Sequence, residues 1–163
     1  MSKQIQLTQG MTAIVDDEDY EYLSRFKWCT HKIRNTYYAE RGEYLPDGKW
    51  ATISMHREIM GLKRGDKRQI DHRNRNGLDN QKYNLRVSTI SQNHANAISR
   101  GGTSKYKGVS WHKATKKWRA LIGFNKHQKH IGLYDSEIEA ALNYNKYAQM
   151  FYGEFARLNI LSK

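Results

Sequence analysis

Gln69–Asn93 reads QIDHRNRNGLDNQKYNLRVSTISQN, and its pattern changes twice. It begins as a short strand-like run ending in Asp71-His72, passes through a segment crowded with Asn, Gly and Asp, and resumes strand-like sequence at Asn84. Asn, Asp and Gly gather in turns because they tolerate left-handed backbone or bond their own main chain. Thr89 and Gln92 stand at capping-box spacing, so a helix is expected to start there and present Asn93 toward the strands. Strand, turn-rich loop, strand and helix make a ββα unit over roughly residues 54–98. Its polar residues have two readings, turn formers or an active site, and the rest of the chain bears on the choice.

The 163-residue chain is long enough for one ordinary domain or two small ones, since domains usually hold about 100 to 150 residues. With 38% hydrophobic and 12% aromatic residues it can bury cores, and a single Pro with 12 Gly is not a disordered composition. Net charge is +12, unevenly placed: residues 1–60 carry 8 Lys/Arg against 9 Asp/Glu, and residues 61–163 carry 20 against 7. Asn80–Tyr134 holds 11 Lys/Arg and no acid. Such asymmetry suits a polyanionic partner, because neutralising phosphates releases condensed counterions. Cys29 is the only cysteine, which excludes a disulfide framework and any zinc site built on several thiolates. The opening MSKQIQLTQGM has no apolar signal core, and no apolar run approaches the ~18 residues of a membrane span. A cytoplasmic protein in a reducing compartment is expected.

The N-terminal third predicts strands in KQIQLTQG, MTAIVDD, RFKWCTHKI and TYYAERGEYLPDGKWATISMHREIMG, with a hairpin at Pro46–Gly48. DDEDYEYLSRF predicts a short helix capped by Asp16 or Asp17, its acids placed where the macrodipole favours them. SRGGTSKYKG supplies the linker signal, giving a first domain over 1–98, a linker at 99–103 and a second domain over 104–163. Beyond it YKGVSWH, KWRALIGF and KHIGLY predict an antiparallel three-stranded sheet, followed by a helix with Ser136 and Glu139 at capping-box spacing. Ala141, Tyr144, Ala148 and Phe151 share one face of that helix, widened by Ala140 and Tyr147, and Gly153 ends it. Along the middle strand Trp118, Ala120 and Ile122 face the helix, while Arg119, Leu121 and Gly123 face away. The fold class expected is α+β throughout.

Cutting a phosphodiester needs a cation to neutralise charge on the phosphate and leaving oxygen, and a base to take the proton of the attacking water. Asp and Asn can offer hard oxygen ligands and His a base. Neighbours on a strand diverge, so Asp71 and His72 need not compete for one role. The set Asp71-His72, Asn84-Leu85-Arg86 and Ser91-Gln92-Asn93, with Met55-His56-Arg57 upstream, resembles the HNH endonuclease family in its phage-type homing branch, where Asp-His replaces the first His pair. The resemblance implies that Asp71 and Asn93 ligate one divalent cation, that His72 is the general base and that Asn84 orients its imidazole through a hydrogen bond. Asn80, Arg86 and His56 would support by turn formation, phosphate contact or packing. Oxygen ligands without thiolate favour Mg²⁺, or Mn²⁺, over zinc.

The C-terminal segment, with YKGV, KW-R-A-L-I, IGLY, EAA and GEFARLN in order over residues 104–159, resembles the AP2 DNA-binding domain. That resemblance implies a sheet face in the major groove of double-stranded DNA, and with it Lys107, His112, Arg119 and His130 contact bases or phosphates while Lys116, Lys117 and Lys129 contact phosphates. Arg73 and Arg75 join Arg86 as contacts from the first domain. Taken together the expectation is a site-specific, homing-type DNA endonuclease with no membrane partner. Two readings compete with it: a non-enzymatic DNA-binding regulator on an inactive HNH fold, and an RNA-directed or repair-type nuclease using the second domain as a nonspecific clamp.

Overall fold

The computed structural model describes residues 1–33, 35–99 and 101–161. It is a mixed α+β chain with four small antiparallel sheets among the described residues. Two compact units divide between Ser88 and Thr89.

The first unit begins with a hairpin of β1 (Ser2–Gln6) and β2 (Thr12–Asp16), Ser2 opposite Asp16 and Gln6 opposite Thr12. Its apolar positions Ile5, Ala13 and Val15 are buried. Helix α1 (Asp17–Leu23) follows, with Asp17, Glu18 and Asp19 in its first turn as the macrodipole favours. Asp16 occupies the cap position, but its carboxylate does not cap: Oδ1 accepts from Gln81 Nε2 at 3.2 Å and Oδ2 from the Lys82 amide at 2.7 Å. Strands β3 (Cys29–Ile33), β4 (Thr36–Tyr44) and β5 (Trp50–Ser54) form the second sheet in that order. The expected hairpin at Pro46–Gly48 is present, with Gly48 at φ 75° and its amide donating to the Leu45 carbonyl at 2.9 Å. Leu23, Trp28 and Met55 close the core almost without exposure, each stabilising the fold by roughly 1.5–3 kcal/mol.

Met55-His56-Arg57-Glu58-Ile59, expected as strand, is instead helix α2. Met55 and Ile59 stand four apart, about one helical turn, and both reach the core cluster. Strands β6 (Gln69–His72) and β7 (Leu85–Ser88) pair antiparallel, Asp71 opposite Arg86 and His72 opposite Leu85. The loop joining them is fastened to β2: the Ile14 amide donates to the Leu78 carbonyl at 2.8 Å and the Asn80 amide to the Ile14 carbonyl at 2.7 Å. Gly77 is held so close to β4 that a Cβ there would lie 2.4 Å from the Tyr37 carbonyl oxygen.

The second unit starts at Thr89, whose Oγ1 accepts from the Gln92 amide at 3.2 Å while Gln92 Oε1 accepts from the Thr89 amide at 2.8 Å. This reciprocal box opens helix α3 (Ile90–Asn96), as its spacing requires. Of the expected linker, 99 and 101–103 carry no regular structure and Arg100 lies outside the described residues. Strands β8 (Val109–His112), β9 (Lys117–Phe124) and β10 (His127–Tyr134) form a sheet in the order β10-β9-β8. Helix α4 (Glu137–Tyr152) is capped by Ser136, whose Oγ accepts from the Glu139 amide, and ends at Gly153 with φ 51°. Ala140, Ala141, Tyr144 and Ala148 are buried against Tyr106, Val109, Ala120 and Ile122, small side chains letting helix and sheet approach closely. At Gly108 a Cβ would sit 2.1 Å from the Tyr144 ring. Among the described residues no helix is long and apolar enough to cross a membrane.

Candidate active site

The end of β6 carries Asp71 and His72 into the interior of the first unit, 4% and 5% exposed. Strand alternation separates them. Asp71 meets its cross-strand neighbour Arg86, which donates to Asp71 Oδ2 from Nε at 2.8 Å and from Nη2 at 2.6 Å. His72 turns to the loop, where Nε2 lies 3.2 Å from Asn80 Oδ1. Asn80 is fully buried, and its Nδ2 donates to Met55 Sδ at 3.5 Å, which fixes which end of the amide faces the imidazole.

Burial holds the His72 imidazole below the usual histidine range, although the Asn80 bond and the Asp71 and Asp79 carboxylates pull the other way. His56, on α2, packs edge to face against His72 with ring centroids 5.2 Å apart, and Tyr38 packs on both. Burial first, then His72 and Arg57, lowers His56 to about 3. Burial raises the Tyr38 phenol, with Asp71 adding to the effect. At neutral pH the aromatic wall beside His72 is therefore uncharged.

Asn84, expected to orient His72, does not make that bond. Its Nδ2 donates to the Asp79 carbonyl at 2.7 Å and its Oδ1 accepts from the Asn74 amide at 2.9 Å, so it latches the loop shut while Asn80 holds the imidazole. Asp79 continues the latch, accepting from Asn74 Nδ2 at 2.7 Å. Asn80, within the loop, and not Asn84 at its end, is thus the residue that meets His72. Arg86, expected on phosphate, is turned inward to Asp71 and only 7% exposed. Arg73 and Arg75 are exposed, Arg75 in left-handed backbone. Asp71, His72, Asn84 and Arg86 thus share one unit, while Asn93, half-buried on α3, belongs to the other.

In the second unit, pairing fixes which side each basic residue takes. Ser110 pairs with Arg119, His112 with Lys117 and His130 with Leu121, all on the face away from α4. His112 Nδ1 bonds Thr115 Oγ1 at 2.8 Å, and Lys117 reaches Asp135 at 3.2 Å. Lys116 is exposed in the β8–β9 turn. Lys129 departs from expectation: it pairs with Ile122, so its ammonium lies on the helix side, 5.3 Å from the ring centroids of Tyr147 and Phe151. Lys107 also departs, because its ammonium donates to the carbonyls of His94, Ala95 and Ala97 and closes the C-terminal end of α3.

Sequence reasoning passed over Asp79, Tyr38 and the orienting part of Asn80. Only the density of Asn and Asp between Asn74 and Asn84 signalled a self-bonded loop, and nothing in spacing tells which amide meets the imidazole.

Over 155 residues, spanning 93% of this chain and 76% of the other, the protein is 28% identical to a protein of Acanthamoeba polyphaga mimivirus described as an uncharacterized HNH endonuclease. No family model matches the chain, and no solved structure matches it. The similarity points to HNH endonucleases and no finer.

Proposed function

We propose that the protein is an HNH-type endonuclease that hydrolyses phosphodiester bonds of double-stranded DNA, with His72 as general base. One observation carries this: a neutral, buried imidazole held at Nε2 by Asn80, one residue from an ion-paired carboxylate. Because Asn80 Oδ1 accepts, Nε2 carries the proton and Nδ1 is the basic nitrogen of the imidazole. Asn84 and Asp79 hold the loop that carries Asn80, and the uncharged rings of Tyr38 and His56 limit where the imidazole can swing.

A divalent cation, Mg²⁺ or Mn²⁺, belongs to this reading, with Asp71 as its oxygen ligand in the first unit. The donor type fits, since a carboxylate offers hard oxygen. The donor number is small: among the described residues no three His, Cys, Asp or Glu gather, and Asp71 Oδ2 already accepts from Arg86. That pattern suits a cation which keeps several waters and binds through one or two protein oxygens together with substrate phosphate. Bound there, it would supply charge neutralisation at the phosphate and leaving oxygen. Residues 104–163, as an AP2-like module, would anchor the protein on duplex DNA through Arg119, His112, His130, Lys116 and Lys117, with site-specific, homing-type cleavage as the outcome.

A second reading draws support from the burial of the same pair. With Asp71 and His72 nearly closed off, an inactive HNH fold serving a DNA-binding regulator explains the geometry without chemistry. Supercoiled plasmid incubated with Mg²⁺ or Mn²⁺ separates the two. The nuclease reading expects nicked or linear product that His72→Ala abolishes; DNA binding without cutting under any divalent metal would establish the regulator.

A further inference from the structure

The segment between α2 and β6, Gly61–Arg68, reads GLKRGDKR and holds four cations against one acid. Unlike an ordinary solvated loop it is built around a dedicated side chain. Arg57 of α2 donates from Nη1 to the Arg68 carbonyl at 2.9 Å, and from Nη2 to the carbonyls of Asp66 at 3.0 Å and Lys63 at 3.3 Å. The Leu62 amide donates to the Arg57 carbonyl at 2.9 Å, and the Asp66 amide to the Lys63 carbonyl at 3.1 Å. The single acid is taken within the loop, because Arg68 Nη2 donates to Asp66 Oδ2 at 2.6 Å.

What remains outward is Lys63, Arg64 and Lys67, all exposed, and no ion pair joins them to a carboxylate among the described residues. Three exposed cations on a loop that a guanidinium holds in place make a positive surface suited to a polyanion. Lys63 and Arg64 also line a groove of about 790 Å³ with Arg41, Arg57, Thr52 and Ser54. The carboxylates on that groove, Glu43 and Glu58, are both paired to Arg41. Lys67 stands four residues before Asp71, so the chain can separate them by no more than ~14 Å. The loop therefore feeds directly into the strand that carries the candidate active site.

We propose that Lys63, Arg64 and Lys67 form a phosphate-binding rail for the backbone of duplex DNA, giving the first unit its own grip on the substrate independent of the C-terminal sheet. This rests on the DNA-directed part of the proposed function and not on cleavage.

The full chain, in chelator and without divalent metal, is titrated with a fluorescent 30-base-pair duplex by anisotropy over a range of KCl concentrations. Lys63→Ala/Arg64→Ala/Lys67→Ala is expected to flatten the dependence of log K on log salt by ~2 to 3, at ~0.9 per lost phosphate contact. Lys63→Arg/Arg64→Lys/Lys67→Arg keeps the charge and is expected to keep the slope. An unchanged slope in the alanine variant overturns the rail. So does an equal loss in the charge-keeping variant, which would mean a structural role, or a loss seen with duplex RNA and not duplex DNA. Failure to cut plasmid leaves this measurement intact, so the two proposals fail separately.

Discussion

His72 Nε2 lies 3.2 Å from the Oδ1 of Asn80, a residue with no exposed surface. The contact fixes the imidazole tautomer from inside the protein rather than from solvent. Asn80→Ala removes it and leaves the His72 proton without its acceptor there. Turnover on plasmid DNA is expected to fall by at least 10²-fold, with KM little changed, because positioned general bases contribute about 10² to 10⁴. Nitrogen NMR of labelled His72 checks the cause directly: the wild type is expected as the Nε2–H tautomer, and the variant as a mixture.

Among the described residues of the first unit Asp71 and Arg86 form the most buried ion pair, 5% and 7% exposed at their side chains. Arg86→Ala takes the guanidinium from the buried Asp71 carboxylate and is expected to destabilise by about 3–5 kcal/mol. Arg86→Met with Asp71→Asn removes both charges and is expected to recover most of that loss while abolishing cleavage. Urea unfolding followed by tryptophan fluorescence measures the first effect, and the plasmid assay the second.

His56 titrates at about 3 in the fold and near 6.5 once unfolded. Below pH 6.5 the unfolded chain binds a proton that the folded chain refuses, so stability falls as pH falls. The slope approaches ~1.4 kcal/mol per pH unit between about pH 6 and 4 from this residue, and His72, lowered in the same direction, adds to it. Thermal unfolding across that range is expected to flatten in His56→Phe, which keeps the ring against Tyr38 and removes the titration.

The sheet of the second unit separates two basic residues that composition treats alike. Arg119 faces away from α4 beside Ser110, and Arg119→Ala is expected to weaken duplex binding and reduce its salt slope by ~0.9. Lys129 lies over Tyr147 and Phe151, and Lys129→Ala is expected to leave that slope unchanged while lowering stability by about 0.5–1 kcal/mol. Anisotropy and thermal melting read the two effects independently.

These contrasts show which parts of the protein are legible in its sequence. Both helix starts are local, so Thr89 with Gln92 and Ser136 with Glu139 declare them directly. The turn at Gly48 and the alternation of Trp118, Ala120 and Ile122 are equally local. The side taken by Lys129 depends on how β10 registers on β9, which the middle strand alone does not specify. Helix α2 hides because five residues of mixed polarity are too short for a period to emerge. The choice between Asn80 and Asn84 depends on the path of a loop held by Asp79 and by β2, and chemically identical side chains carry no mark of it.

The bonds from Ile14 to Leu78 and Asn80, with Asp16 on Gln81 and Lys82, splice the loop over His72 to a hairpin more than fifty residues earlier in the chain. The β6–loop–β7 segment is thus not a portable cassette. Grafted elsewhere without β1 and β2, it would lose the strand edge that sets Asn80 beneath the imidazole, and a transplant would have to carry the chain from its first strand onward.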